Sequence, residues 1–194
     1  MSSYRLPKVV DEFFPASTFD DITHLFHECT WKFGWGSNAI GEAYVHWNRH
    51  FAGGGKSSLS CCEEELFGDI YARPIAEAWK NIRDKLLPSG HKLVRCYANS
   101  HTFGLDGTIH RDNPDDIEAL TTIVYSHRLW PTSWGGETMF YSDDGSDVIA
   151  SVFPKPGRVA VFQGSVPHSA KSPSRVCKGL RISLVFKSIK DADT

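Results

Sequence analysis

The chain has 194 residues, of which 41% are hydrophobic and 23% charged, and its formal net charge is −2 at pH 7. These values fit one globular domain with a sizeable core, and the near-neutral charge argues against a nucleic-acid-binding surface as the main purpose. For the same reason we expect no nucleic-acid partner. Residues 1–8 lack the apolar core of a signal peptide, and no apolar run is long enough to span a bilayer, so we expect no membrane partner.

The cysteines favour a reducing compartment. Their number, five, is odd, and none of them shows the CxxC spacing of a metal site. Because disulfides are rare in the cytosol, the sequence predicts a cytoplasmic protein with reduced thiols. We interpret the adjacent pair Cys61 and Cys62 as two ordinary thiols rather than a reactive pair.

Helical patterns dominate the first half of the chain. Residues Pro15 to Thr18 offer a turn and a helix cap, and apolar residues from Phe19 to Cys29 then recur at helical spacing. The aromatic and glycine-rich stretch from Trp31 to Gly55 favours extended segments and loops. A second helical stripe runs from Cys62 to Pro88, and we expect Pro74 to kink or split it.

Strand patterns separated by turn residues fill the second half. The predicted strands are Lys92–Tyr97, Ala119–Tyr125, Glu137–Tyr141, Arg158–Gln163 and Arg181–Lys187. Pairs such as Gly135-Gly136 and Pro156-Gly157 supply turns between them. Many short strands with such turns favour a sandwich or barrel, against which the preceding helices can pack.

We therefore expect residues 1–194 to form a single domain that is mainly β with N-terminal helices. Residues 1–91 would supply helical support and lid elements, and residues 92–190 the β core. The oligomeric state does not follow from the sequence.

Two imidazoles and one carboxylate have the spacing of ligands to one metal ion. His110 and Asp112 lie two residues apart, so on an extended segment both side chains point to one side. His168 follows an apolar strand pattern and the turn at Gly164, where a β scaffold can bring it opposite His110. Two histidines and a carboxylate leave one face of an iron(II) ion open, as in non-haem iron oxygenases. A His-x-acid triplet alone is expected by chance about once in such a composition, and His168 alone is more often structural or exposed.

Arg181 opens the last strand pattern. By strand alternation Arg181 and Ser183 share one side, and the apolar Ile182 faces the other. An inward arginine needs a buried anion, with which its guanidinium fork pairs bidentately, and Ser183 adds a hydrogen-bond donor. A solvent-facing arginine is at least as common when the residue is considered singly. Lys178 is a competing cation, but its neighbouring glycine indicates a loop.

The other histidines are interpreted as structural or exposed. His46 and His50 are four apart and on a helix could share a metal ion. Their glycine-rich surroundings argue against that helix.

Taken in order, the motifs of the second half resemble the Fe(II)/2-oxoglutarate-dependent dioxygenases, in particular their prolyl-4-hydroxylase-like branch, and most of all the catalytic domain of the hypoxia-sensing prolyl hydroxylases. The similarity covers Leu93 to Lys187 and depends on the shared order of the pieces. The matching pieces are Cys96-Tyr97, His110-x-Asp112-Asn113-Pro114, Thr121-x-Ile123-x-Tyr125, Trp130, Gly135-Gly136, Pro154-x-Pro156-Gly157-Arg158, Pro167-His168 and the strand from Arg181.

The resemblance implies a double-stranded β-helix, or jelly-roll, core that uses Fe(II), 2-oxoglutarate and O2. It implies His110, Asp112 and His168 as iron ligands, and Arg181 as the residue that binds the distal carboxylate of 2-oxoglutarate. The expected co-substrate pocket is completed by Tyr97, Thr121, Ile123, Tyr125 and Ser183. Without the resemblance, core packing with a satisfied hydroxyl would be the better interpretation of the two tyrosines. Asp112 fills the position that related halogenases leave small, which favours oxygenation.

The expected reaction is hydroxylation of an unactivated C–H bond in a proline-containing peptide or amino acid, with release of succinate and CO2. Three alternatives stay open. One is an oxygenase of a small biosynthetic metabolite that hydroxylates, desaturates or cyclises it. The others are a cupin-like metalloenzyme without 2-oxoglutarate and a non-catalytic jelly-roll module that binds a metal or ligand.

Candidate substrate contacts follow the metal motif. Arg111, Asn113 and Trp130 are expected near the substrate, although a solvent-facing position is the safer interpretation of Arg111. The segments Trp31 to Phe51 and Asp115 to Leu120 are candidates to cover the site. Their aromatic side chains are at least as suited to sealing the barrel.

Overall fold

The structure, a computed structural model, describes residues 6–36, 45–55, 58–113 and 118–191. These residues form three α-helices and ten β-strands. Within the described ranges, no helix is long and apolar enough to cross a membrane.

The N-terminal half contains helices and three strands. In chain order its elements are β1 (Lys8–Val10), α1 (Ala16–Glu28), β2 (Lys32–Gly36), β3 (Val45–Ala52), α2 (Glu63–Gly68) and α3 (Arg73–Lys85). The extended segments expected after Trp31 are confirmed as β2 and β3. The short strand β1 was not expected, because three residues carry too little pattern.

The two long helices follow from their apolar spacing. α1 buries Ile22 and Phe26, which are four residues apart and share one face. The expected side-chain cap of α1 is wrong: Pro15 occupies the cap position, and no side chain accepts a hydrogen bond there. The second helical stripe is split, as expected, with a 3-10 turn at Ile70–Ala72 before α3. Pro74 lies in the first turn of α3, where its missing N–H costs no helical hydrogen bond.

The C-terminal half supplies seven strands. They are β4 (His91–His101), β5 (Ala119–Tyr125), β6 (Thr138–Tyr141), β7 (Val148–Val152), β8 (Val159–Gln163), β9 (His168–Ala170) and β10 (Arg181–Lys190). All five expected strands are confirmed, and β4 and β10 extend beyond their predicted ends. β7 and β9 were not expected.

Two antiparallel sheets face each other. The larger has the order β1-β8-β5-β10-β4-β3-β2, and the smaller has the order β7-β6-β9. The ring of Phe140 on β6 lies 4.9 Å from the ring of Phe162 on β8, so the inner faces pack directly. This arrangement is the expected double-stranded β-helix, and β1, β2 and β3 widen its larger sheet at both edges.

The larger sheet separates two layers of apolar packing. Its outer face packs on the helices, where Trp79 of α3 stacks on Phe186 of β10 with ring centroids 5.7 Å apart. Its inner face meets the smaller sheet. Strand alternation on β10 places Ile182 and Leu184 in the outer layer and Val185 in the inner layer.

The inner face of the larger sheet is a row of functional side chains set by register. β10 lies between β4 and β5, so each inward residue on β10 has a neighbour on either side. Ser183 pairs with Asn99 and Tyr125, and Lys187 pairs with Arg95 and Thr121. Arg181 and Lys187 therefore mark opposite ends of one polar row.

Candidate metal centre

The structure brings together the two histidines and the aspartate that the sequence singled out. The backbones of His110 and His168 form an antiparallel bridge, with both N···O distances 3.0 Å. The backbone N–H of Asp112 donates to the carbonyl of Gly164 at 2.7 Å. Each histidine Nε2 lies 3.6 Å from one carboxylate oxygen of Asp112. The three donor groups lie within 4.8 Å of one another.

Backbone carbonyls orient both imidazoles. Nδ1 of His110 lies 2.9 Å from the carbonyl oxygen of Thr108, and Nδ1 of His168 lies 2.9 Å from that of Val166. Because a carbonyl only accepts, each Nδ1 carries the proton and each Nε2 turns its lone pair toward Asp112. This is the tautomer that a metal ligand needs, held by an outer hydrogen bond.

The protonation states suit metal binding. Burial, together with the neighbouring His110, lowers the pKa of His168 to about 4, so its imidazole is neutral at pH 7. Burial alone would raise the pKa of Asp112. The positive charge of Lys187 is the largest opposing influence, and together with the neighbouring histidines it holds that pKa below its usual value. Metal ligands must be deprotonated, and Asp112 and His168 meet this condition at pH 7.

Two side chains hold the carboxylate of Asp112. Thr121 Oγ1 donates to Oδ2 at 2.6 Å, and Lys187 Nζ lies 2.6 Å from Oδ1. Thr121 was expected in the co-substrate pocket, and it also fixes this ligand. Lys187 was missed, although strand alternation from Arg181 through Ser183 gives it the same inward direction. A lysine near the end of a strand is ordinarily solvated, which concealed its role.

The donor set fits one metal ion. Ligand atoms about 2.1 Å from a shared ion can lie up to roughly 4 Å apart, so the 3.6 Å separations are compatible with a common ligand position. Two imidazoles and a carboxylate suit iron(II) and related divalent ions. In the described part of the chain, no other cluster of three histidine, cysteine or acidic donors converges in this way.

A narrow cavity of about 40 Å³ leads from the metal ligands to Arg181. Arg181 is 1% exposed. Its Nε donates to the carbonyl of Gly136, and its Nη2 donates to Thr138 Oγ1 at 2.8 Å. Its Nη1 is buried without a hydrogen-bond partner among the described residues. A buried guanidinium nitrogen left in this way fits one oxygen of an incoming carboxylate.

A second pair of contacts fixes Arg181 in place. Tyr125 donates from its hydroxyl to the same Thr138 oxygen at 2.7 Å, and its ring centroid lies 5.5 Å from the guanidinium carbon. Gly136 has φ +81°, and a Cβ there would stand 3.2 Å from Cδ of Arg181. The glycine turn thus makes room for the arginine. Thr138 was missed, although alternation along its strand turns it inward.

The expected co-substrate residues divide into two groups. Tyr97, Thr121, Ile123 and Ser183 line the narrow cavity with Arg181. Tyr125 lies behind that lining and acts through Thr138. Lys178, the competing cation, is exposed and lies outside this lining.

The expected substrate contacts separate in the structure. Arg111 lines a second cavity beside the metal ligands. Asn113 packs against Gly164, to whose carbonyl its backbone N–H donates at 3.1 Å. Trp130 donates from Nε1 to the carbonyl of Gly135 at 2.8 Å. Neither Asn113 nor Trp130 lines either cavity beside the metal ligands.

The histidine pair on β3 and the candidate covering segments are the remaining features that the sequence singled out. His46 and His50 lie on strand β3 rather than on a helix, and His46 stacks on His101 with ring centroids 4.6 Å apart. The two candidate covers include residues 37–44 and 115–117, which lie outside the described residues.

The second cavity has a volume of about 120 Å³ and a mainly charged and polar lining. Its lining residues are Trp35, Arg95, Tyr97, Asn99, His110, Arg111, Asp112 and Lys187. Four of these also line the narrow cavity: Tyr97, Asn99, His110 and Asp112. The candidate metal ligands thus lie between two cavities with different walls.

Comparison with known proteins agrees with this geometry. Residues 94–186 match the family model of the 2OG-Fe(II) oxygenase superfamily. No curated protein sequence matches the chain.

Several solved structures share the fold. One is a prolyl hydroxylase from Trichoplax adhaerens in complex with a hypoxia inducible factor oxygen degradation domain peptide fragment, with 16% identity, TM-score 0.60, and coverage of 96% of this chain and 84% of that one. A prolyl-4-hydroxylase from Pseudomonas putida shows 19% identity, TM-score 0.60, and coverage of 97% and 93%. The non-heme alpha ketoglutarate dependent carbocyclase SnoK from nogalamycin biosynthesis shows 10% identity, TM-score 0.62, and coverage of 95% and 79%. At these identities the likeness is one of fold.

Proposed function

We propose that this chain, whose residues 94–186 match the family model of the 2OG-Fe(II) oxygenase superfamily, is a dioxygenase that hydroxylates an unactivated C–H bond of a proline-containing peptide or amino acid. The observation that carries the proposal is the convergence of His110, Asp112 and His168 beside a cavity that ends at a buried arginine. The family uses Fe(II), 2-oxoglutarate and O2.

The proposed roles follow from the contacts. His110 and His168 would hold iron(II) through Nε2, and Asp112 through its carboxylate. Arg181 would pair with the distal carboxylate of 2-oxoglutarate through Nη1, the nitrogen without a partner among the described residues. When bound, iron and 2-oxoglutarate would supply the oxidative chemistry, in which the substrate C–H, O2 and 2-oxoglutarate give the alcohol, succinate and CO2, with one oxygen atom in the alcohol and one in succinate.

The protein's own groups orient and shield these components. The carbonyls of Thr108 and Val166 fix the imidazole tautomers, and Thr121 fixes the carboxylate. Ile123 and Val185 supply apolar walls to the narrow cavity, which limits the access of water. The intact set of donors argues against a non-catalytic module.

The choice of substrate is supported by the likeness to two prolyl hydroxylases. One of them was solved with a peptide fragment bound. The likeness to a carbocyclase of similar TM-score supports the second candidate, a small biosynthetic metabolite. The small volume of the second cavity also favours a compact reacting group.

The test is product formation under ¹⁸O2 with a panel of free proline, proline-containing peptides and cellular metabolites. We expect succinate to form only with iron(II) and 2-oxoglutarate, and one ¹⁸O atom to enter a proline ring. Hydroxylation of a metabolite but of no prolyl compound would favour the second candidate. Absence of succinate with verified iron occupancy would favour the non-catalytic module.

A further inference from the structure

We propose that the second cavity binds an oxyanion of the substrate, a carboxylate or a phosphate, through Arg95 and Lys187, with Arg111 at its wall. The proposal rests on the proposed function, because the cavity is a substrate site only if the neighbouring metal centre acts on a C–H bond. It assigns the substrate to the class of small organic acids or of peptides that carry an acidic group.

The first observation is an excess of positive charge. Among the described residues, three cationic side chains line the cavity, and Asp112 is the one carboxylate in that lining. Asp112 already accepts hydrogen bonds from Thr121 and Lys187, and it is also the proposed metal ligand. A metal ion bound there would add further positive charge. Buried charges of one sign are costly unless an opposite charge joins them.

Arg95 supplies the second observation. It is 5% exposed, and its guanidinium carbon lies 5.0 Å from the ring of Trp35 and 4.9 Å from the ring of Tyr97. Its Nε is buried without a hydrogen-bond partner in the part of the chain that the structure describes. The two rings hold the flat faces of the guanidinium, so its edge donors are directed at a planar or tetrahedral oxyanion.

Lys187 brings a second cation to the same place. It lies directly opposite Arg95 in the register of β4 and β10. Its Nζ lies 5.7 Å from the centroid of the same Tyr97 ring. An ammonium has three donors, so contact with Asp112 leaves it able to donate to a further oxygen.

Arg111 has a different role. Its Nη1 donates to the carbonyl of Ser165, and its Nη2 donates to the carbonyl of Asp143 at 2.8 Å. The carboxylate of Asp143 lies 3.6 Å away and offsets part of its charge. Arg111 therefore forms a fixed wall, and the oxyanion contacts fall to Arg95 and Lys187.

The position of the cavity separates it from the co-substrate site. Arg181 and Lys187 face the same side of β10 six residues apart, which is roughly 20 Å along a strand. A co-substrate held by Arg181 reaches the metal ligands through the narrow cavity, and an oxyanion at Arg95 reaches them from the other side. Arg95 and Lys187 line the second cavity together with His110 and Asp112, two of the proposed metal ligands. The reacting C–H bond therefore lies only a few bonds from the charge.

The test compares charged probes with their neutral counterparts. Protein loaded with Mn(II) and 2-oxoglutarate is titrated calorimetrically with N-acetyl-L-proline and its amide, and with O-phospho-L-serine and L-serine. We expect the charged member of at least one pair to bind at least tenfold more tightly than its counterpart. The pair that shows the preference distinguishes carboxylate from phosphate. If neither charged member is preferred tenfold, the proposal is overturned.

Variants place the binding in this cavity. Arg95→Gln and Lys187→Met should each abolish the preference, whereas the control Arg73→Gln, whose side chain is 80% exposed on α3, should keep it. If Arg95→Gln does not fold, as judged by circular dichroism, Arg95→Lys decides, because it keeps the charge without the planar fork and should lose at least threefold. Retention of the full preference in the Arg95 variant that folds would overturn the proposal.

Binding of 2-oxoglutarate tests the metal centre separately from the oxyanion site. Wild-type protein that binds 2-oxoglutarate but shows no preference for the charged probes overturns only the inference. Wild-type protein that binds no 2-oxoglutarate in the presence of iron overturns the proposed function. A loss of 2-oxoglutarate affinity in Arg95→Gln but not in Arg181→Gln would mean that the second cavity holds the co-substrate, and would also overturn the inference.

Discussion

The two ends of the inner face of β10 each carry a cation, and the two cations differ in the groups that hold them. Arg181 is buried, and the side chain of Lys187 is 12% exposed. Arg181 is fixed by the carbonyl of Gly136, the hydroxyl of Thr138 and the ring of Tyr125, and no carboxylate contacts it among the described residues. Lys187 instead contacts the carboxylate of Asp112 at 2.6 Å. Neutral groups can orient a charge without neutralising it, so Arg181 keeps a positive charge that can bind an anion. The Lys187 end is coupled to the metal ligand itself.

This difference gives each cation its own energetic signature. Replacement of a cation that is held by neutral groups should lower the affinity for its anionic ligand. The stability of the protein without that ligand should change little. Replacement of a cation that is paired with a carboxylate should lower the free energy of unfolding. The size of this loss depends on whether a metal ion also binds that carboxylate. Replacements of Asp112, Lys187 and Arg181 separate the two effects, and a surface ion pair provides a comparison with an exposed contact.

Replacement of Asp112 should have the largest effect, because it removes a proposed metal ligand and leaves Lys187 buried without its partner. We expect Asp112→Ala to lower iron-dependent succinate formation by more than about a thousandfold, a step beyond the 10- to 100-fold loss typical of outer partners of a metal site. Asp84→Ala, an exposed change on α3, is the control. Full turnover in Asp112→Ala would contradict the assignment of the metal ligands.

Replacement of Lys187 should change stability in a metal-dependent way. Breaking a buried ion pair from one side costs about 3–5 kcal/mol, so Lys187→Met should lower the free energy of unfolding by that amount in EDTA. Saturating Mn(II) should at least halve the loss, since the ion takes over the carboxylate of Asp112. Urea unfolding with and without Mn(II) measures both values. An equal loss under the two conditions would show that Lys187 and the metal ion do not share Asp112.

Replacement of Arg181 should act on co-substrate affinity. Loss of one charge-assisted partner in a buried pair costs 2–5 kcal/mol, so we expect Arg181→Gln to raise the KM for 2-oxoglutarate by about a hundredfold. The control Lys178→Gln changes the exposed cation that competed with Arg181 in the sequence and should keep the wild-type value. The opposite result for the two variants would transfer the anchor to Lys178.

A surface ion pair should show how little such a contact contributes outside the core. Asp11 follows β1 and accepts hydrogen bonds from Arg158, which lower the pKa of Asp11 to about 2. Its stabilisation is complete above the unfolded pKa of 3.8 and is lost as the pH falls through 2. Because the pair is partly exposed, Asp11→Asn should cost less than about 1 kcal/mol at pH 7.

The pH dependence of unfolding checks this last prediction. The difference between wild type and Asp11→Asn should shrink as the pH falls from 4 and should vanish below about pH 2. A difference of several kcal/mol at pH 7 would mean that β1 depends on Asp11 far more than its exposure suggests.

The sequence predicted those parts of the fold that have a strong local pattern. Alternation in the last strand placed Arg181 inward and Ile182 outward, and the helical spacing around Ile22 predicted α1. β9 was missed because it is three residues long and exists through its pairing with β6. Such a strand is made by its partner rather than by its own sequence.

In the candidate site, too, only the residues with a recognisable sequence pattern were predicted. The ligand residues were predicted from residue types in a recognisable order. Their supports were not: the carbonyls of Thr108 and Val166 belong to the backbone and have no residue signature. The contact between Lys187 and Asp112 depends on the register of β10 and on the path of a loop, which only the folded chain brings together.

We propose that His110, Asp112 and His168 hold an iron ion beside the co-substrate 2-oxoglutarate. The most direct measurement is an anaerobic titration of 2-oxoglutarate into the iron(II)-loaded protein, followed by its visible absorption. We expect a weak charge-transfer band that needs both iron and 2-oxoglutarate, appears in the wild type and is absent from His168→Ala. A wild-type protein that shows no band at verified iron occupancy, or a His168→Ala protein that shows an unchanged one, would contradict it.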